Sequence, residues 1–123
     1  MVVGIGTDII EVERVKKACG HPSFLKRIYT KRELELIEAH LSKAVTNFAV
    51  KEAVSKMLGT GFTKVAPIEI EVLRKETGQP YVNLYGEAYK RMKELNIDEI
   101  LVTISDTKEY AVAYVIGQNL SGA

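Results

Sequence analysis

The chain has 123 residues, 46% hydrophobic and 27% charged, which allows a single domain over 1–123 with a real core and excludes disorder as a description of the whole. Seventeen Lys and Arg against sixteen Asp and Glu leave a formal charge of +1, so bulk electrostatics gives no case for nucleic acid or an anionic membrane. One cysteine, Cys19, and two histidines argue against an internal disulfide framework and any ordinary zinc site. No apolar stretch approaches the ~20 residues of a spanning helix. The opening MVVGIGTDII has no basic segment and meets an acid at Asp8, so it does not read as a signal peptide, and the cytoplasm is the expected address.

Val2 to Ile10 is a β-branched run broken by Gly4 and Gly6, and it reads as a core strand. Glu11 to Ala18 follows at helical spacing, with Gly20 as its stop. Thr30-Lys31-Arg32-Glu33 fits a capping box and opens a helix through Leu34, Ile37 and Leu41. A longer helix, from about Ser42 to Leu58, ends in Gly59-Thr60-Gly61. The period then changes. Val65 to Val72 alternates, Thr77-Gly78-Gln79-Pro80 reads as a turn, and Tyr81 to Leu84 pairs back as a hairpin. Gly86 to Leu95 is a short helix, and Ile100 to Ser105 with Tyr110 to Ile116 forms a second hairpin. The order β-ααα-ββ-α-ββ predicts an α+β fold with an antiparallel sheet and one long buried helix.

Gly4-Ile5-Gly6-Thr7-Asp8 lacks the third glycine of a dinucleotide fingerprint and no clean strand–turn–helix begins there, so the glycines are read as places of close backbone approach. Asp8 sits among apolar neighbours and needs a partner, because burying a lone carboxylate costs several kcal/mol. It caps the helix that starts near Ile10, or it faces a cation; both readings are open. The long helix is apolar on nearly every face, yet Lys51, Glu52 and Lys56 interrupt it. Glu52 and Lys56 at i,i+4 form a pair worth a few tenths of a kcal/mol, or Glu52 works with Asp8. Two carboxylates on separate core elements with lysines nearby suggest a Mg²⁺–phosphate site, since Mg²⁺ takes one or two carboxylates and completes its octahedron with water and phosphate oxygens. Arg14, Lys16, Lys17, Lys26, Arg27, Lys31 and Arg32 crowd the first third, either as a solvated face or as a dock for an acidic partner. Cys19 reads as a small core residue, and His40 as a residue at helix-end carbonyls.

Gly4-Ile5-Gly6-Thr7-Asp8-Ile9-Ile10-Glu11-Val12 resembles the opening of the holo-acyl-carrier-protein synthases, the small bacterial 4′-phosphopantetheinyl transferases. So does Phe48-Ala49-Val50-Lys51-Glu52-Ala53-Val54-Ser55-Lys56 with Gly59-Thr60-Gly61 behind it. Further matches are Phe24 to Thr30 with Glu33, Gly78-Gln79-Pro80 with Leu84, and the closing stretch from Ser105 to Val115, so the similarity runs nearly end to end. The resemblance implies a transferase that uses coenzyme A and Mg²⁺: a serine hydroxyl of apo-acyl carrier protein attacks the β-phosphate and 3′,5′-ADP leaves. By position it makes Asp8 and Glu52 the metal ligands and gives Glu52, Lys56 and Lys51 to catalysis. It places coenzyme A against Lys56, Gly59, Gly61, Pro80 and Ser105, and the carrier protein against Arg14. It also implies a homotrimer with active sites between subunits, Asp8 and Glu52 coming from neighbouring chains.

Two positions depart from that pattern. Asn47 stands where the family usually has Arg, and Asp106 where it usually has His, both near coenzyme A phosphates. A cation is lost at one and an anion gained at the other, which predicts weakened coenzyme A contact there. The competing readings are therefore a family member with impaired coenzyme A binding, and a non-catalytic α+β interaction module in which Asp8 caps a helix and Glu52 pairs with Lys56.

Overall fold

A computed structural model describes residues 1–121. In chain order it contains β1 (Val2–Glu11), α1 (Val12–Ala18), α2 (Pro22–Ile28), α3 (Lys31–Ala39), α4 (Ser42–Met57), a 3-10 turn at Pro67–Glu69, β2 (Ile70–Arg74), β3 (Pro80–Leu84), α5 (Gly86–Glu94), β4 (Glu99–Asp106) and β5 (Tyr110–Gln118). The α+β class and its antiparallel pairing hold. Several details differ from expectation, among them that most of the stretch from Val65 to Val72 read as a strand is loop and a 3-10 turn, with β2 beginning only at Ile70. Four helices, not three, precede the first hairpin, the addition being α2. Its one strong sequence signal is Pro22 in the first turn, where a missing N–H costs nothing, and it has no side-chain cap. The strands also divide into two sheets, β1-β5-β4 and β2-β3.

β1 is an edge strand rather than a core strand. Its period-2 alternation turns Gly4, Gly6, Asp8 and Ile10 toward the helices and leaves Val3, Ile5 and Ile9 exposed on the outer face. α4 lies across the inner face, and the two glycines set how closely. A Cβ at Gly4 would stand 2.8 Å from the Met57 carbonyl oxygen, and one at Gly6 would collide with the Ala53 carbonyl. Only glycine permits this approach.

α4 is buried on most of its surface, as apolar residues on nearly every face require. Ala49, Val50, Ala53, Val54 and Met57 join residues of β2, β5 and the loops in the largest core cluster. Val12, Val15, Val45 and Ala111 form a second cluster that seats α1. A third, around Ile28, Tyr29, Ile37 and Ala44, seats α2 and α3. The capping box at the start of α3 is present: Glu33 N–H donates to Thr30 Oγ1 at 3.3 Å and Thr30 N–H to Glu33 Oε1 at 3.1 Å.

Candidate active site

A cleft of about 710 Å³ opens between β1, α1 and α4. Two periodicities supply its polar end. The even register of β1 aims Asp8 inward, opposite Ala113 of β5. On α4 the residues not fully buried after Lys43 are Phe48, Glu52 and Lys56, one stripe at i, i+4, i+8, and all three line the cleft. The Lys56 ammonium donates to Asp8 Oδ1 at 2.8 Å and to the Thr7 carbonyl at 3.1 Å. Arg14 of α1 stands exposed on the same opening, with Phe24 packed on Phe48 as an apolar wall.

Glu52 makes no side-chain hydrogen bond or ion pair among the described residues. Partial burial raises its pKa, the Asp8 charge raises it further, and Lys56 works against both. Lys56 in turn has its pKa raised, first by the hydrogen bond to Asp8. An unpartnered carboxylate beside a second carboxylate is a site that gains from a cation.

These contacts decide the alternatives left open by the sequence. Asp8 is no helix cap: the residue at the start of α1 is Glu11, which makes no side-chain capping bond. Lys56 bonds Asp8 rather than pairing with Glu52. Neither the helix cap nor the Glu52–Lys56 pair of the non-catalytic reading is formed, and Asp8 is tied to Lys56 instead. Asp8 and Glu52 line the same cleft within one chain, where the resemblance implied that neighbouring chains supply them.

Lys51 requires a second correction. It is one residue, and so about 100° of helical turn, from Glu52. Its side chain has no exposed surface and donates to Glu33 Oε1 at 2.7 Å, to the Pro67 carbonyl at 3.0 Å and to the Ile70 carbonyl. It does not line the cleft. Asn47, one turn earlier on the same stripe, is equally buried and donates to Glu33 Oε2 at 3.0 Å and the Val72 carbonyl at 2.9 Å. Its Oδ1 has no partner among the described residues. Asn47 therefore faces the core and not a ligand. The double use of Glu33, as cap and as partner of α4, left no trace in the sequence beyond the capping box itself.

The remaining expected coenzyme A residues lie away from the acid pair within one chain. Gly59, with φ +75°, borders a separate cavity of about 440 Å³ with Thr60, Lys64 and Arg91. Gly61 shares the left-handed backbone at φ +57°. Pro80 opens β3, and Ser105 and Asp106 stand exposed at the end of β4.

The fold and the cleft together define a small α+β protein that presents two carboxylates and a lysine to one opening, a donor set suited to a hard cation and a phosphate group. The sequence matches the model of the 4′-phosphopantetheinyl transferase superfamily over residues 4–115, and the chain belongs to that superfamily. It is 57% identical to a holo-[acyl-carrier-protein] synthase of Lachnoclostridium phytofermentans over 96% of this chain and 97% of that one. Among solved structures it is similar to the Plasmodium yoelii acyl carrier protein synthase with ADP bound, at TM-score 0.86 and 30% identity, covering 97% of this chain and 96% of that one. It is likewise similar to a holo-(acyl-carrier-protein) synthase from Bacillus anthracis in complex with coenzyme A (3′,5′-ADP), at TM-score 0.81 and 33% identity over 97% and 98% of the two chains.

Proposed function

We propose that this chain transfers the 4′-phosphopantetheine group of coenzyme A to a serine of apo-acyl carrier protein and releases 3′,5′-ADP. The observation that carries the reading is the convergence of Asp8, Glu52 and Lys56 on one cleft in a chain of this family. In the reaction the serine oxygen forms a bond to the β-phosphorus while the bond from that phosphorus to the departing 3′,5′-ADP oxygen breaks.

Asp8 and Glu52 are the residues that would hold Mg²⁺. Their fit rests on two hard oxygen donors, one of them without a protein partner, leaving the other positions to water and phosphate. When bound, the ion supplies neutralisation of pyrophosphate charge as the P–O bond breaks. Lys56 reaches the same opening and is placed to hold a phosphate oxygen. Phe24 and Phe48 form an apolar wall of the cleft. Arg14 stands at the rim, where a carrier protein with an acidic face would approach.

A homotrimer with sites completed between subunits belongs to the same reading. It is supported by the outer face of the three-stranded sheet, where Ile5, Ile9, Leu101 and Tyr114 are exposed together. Such an assembly would let Gly59, Gly61, Pro80, Ser105 or Asp106 of a neighbouring chain meet coenzyme A. No helix among the described residues is long and apolar enough to cross a membrane, and a cytoplasmic address remains part of the proposal.

The deciding experiment is incubation with apo-acyl carrier protein, coenzyme A and Mg²⁺, followed by mass spectrometry of the intact carrier. The expected result is one added phosphopantetheine that requires both Mg²⁺ and Asp8. A carrier of unchanged mass after incubation with folded protein overturns the assignment.

A further inference from the structure

Lys51 poses a physical puzzle. A buried ion pair is on average no more stabilising than apolar side chains of similar volume, because desolvation offsets the attraction. Yet α4, otherwise packed with Ala and Val, buries a lysine against Glu33 with no exposed side-chain surface on either. What such a pair supplies that leucine does not is direction.

Every oxygen of Glu33 and every proton of the Lys51 ammonium is bonded, by partners at the start of α3 and on α4, β2 and the 3-10 turn at Pro67–Glu69. Glu33 Oε1 accepts from the Thr30 N–H and from Lys51; Oε2 accepts from Asn47 at 3.0 Å and from the Val72 N–H at 3.2 Å. Lys51 spends its three protons on Glu33 and the Pro67 and Ile70 carbonyls. Asn47 and Lys51 are one turn apart, so α4 is gripped twice along a single stripe. On another side, Gly4 and Gly6 of β1 press against the carbonyls of Met57 and Ala53. Glu52 lies between these two grips, on the helix face that neither occupies.

We propose that Glu33 and Lys51, assisted by Asn47, are positioning residues that fix the rotation of α4 about its axis and thereby the place of Glu52 opposite Asp8. The inference rests on the reading of Asp8 and Glu52 as a cation-holding pair. A group about 6 Å from a helix axis moves about 2 Å when the helix turns by 20°. Mg²⁺ demands near-ideal octahedral ligands at about 2.0–2.1 Å, so a displacement of that size removes one ligand. Apolar packing alone tolerates small rotations, since methyl groups slide over one another without losing a specific partner. Six directed hydrogen bonds, four into Glu33 and three from Lys51 with one shared, admit one setting.

The test compares the native protein with Glu33→Gln/Lys51→Met, which removes both charges and so avoids stranding one in the core. Mn²⁺ alone is the probe, followed by electron paramagnetic resonance of the free ion, with Asp8→Ala defining the specific site. The expected result is a cooperative thermal transition close to native, Mn²⁺ affinity reduced at least tenfold, and a fall in kcat larger than any rise in the KM for coenzyme A. Asn47→Ala, a milder change, is expected to weaken Mn²⁺ by about threefold, and it serves if the double variant does not fold. Affinity and kcat within twofold of native in a folded variant overturn the positioning role and leave the metal site standing. Native protein without Asp8-dependent Mn²⁺ binding overturns the metal site itself, and the positioning role with it.

Discussion

The ammonium of Lys56 lies 2.8 Å from Asp8 Oδ1 and bridges it to the Thr7 carbonyl, so in the free chain a lysine supplies the cation that the site would otherwise draw from solution. The pair joins the edge strand to the last turn of α4, and more than half of the lysine side chain is exposed. An exposed pair of this kind is worth roughly 0.2–1 kcal/mol.

That small value sets the first prediction. Lys56→Met frees Asp8, so divalent-ion affinity should rise by a factor of about 1.5–5. Turnover should nevertheless fall about 100-fold or more, because a charge directed at phosphate is lost. Mn²⁺ titration beside steady-state kinetics checks both directions, and a variant with weaker ion binding would show that Lys56 does not compete for Asp8.

Glu52→Gln should abolish transfer while stabilising the metal-free fold. Burial and the Asp8 charge raise the Glu52 pKa, so the folded chain holds that proton more tightly than the unfolded chain does. Its contribution therefore favours the fold at pH below the ordinary glutamate range. It turns unfavourable as pH rises through the raised value, where the folded carboxyl must ionise. The melting temperature of Glu52→Gln should accordingly exceed that of the native chain at neutral pH, and the gap should close in acid. Melting curves from pH 3 to 8 without added metal measure it.

Because both acids belong to one chain, mixing Asp8→Ala with Glu52→Ala subunits should restore no transfer, even after complete subunit exchange. Each cleft in the mixture lacks one carboxylate. Recovered activity would mean that the pair is formed across an interface.

Gly6→Ala should cost about 3 kcal/mol, near the top of the range for overpacking, because the added methyl meets the Ala53 backbone carbonyl rather than a movable side chain. Urea unfolding reads the loss. Activity should fall with it, since relief of the clash moves Asp8 away from α4.

The exposed outer face of the sheet gives the last expectation. The native chain should sediment as a trimer, and Ile5→Glu, at a residue 58% exposed in the single chain, should yield a folded monomer with an unchanged far-ultraviolet spectrum. A native monomer that transfers at full rate would exclude the shared site.

Local chemistry determined much of this protein before any contact was known. The capping box fixed the start of α3, apolar residues on nearly every face of 42–57 declared a buried helix, and paired hairpins set the α+β class. Asp8, Glu52 and Lys56 stood out because charged groups are costly in apolar surroundings. Tertiary structure alone decided which of those charges share a space. Lys51 and Glu52 are adjacent in sequence with similar local surroundings, yet helical rotation sends one into a saturated ring around Glu33 and the other into the cleft. Asn47 follows Lys51 inward by the same rotation, so its expected contact with a phosphate could not be judged from its residue type. α2 also escaped the sequence, because a seven-residue helix without a side-chain cap is held by the packing of Ile28, Phe24 and Leu25 rather than by its own propensity. Periodicity specifies which face of an element is polar, but the partner of that face is fixed only when distant segments pack.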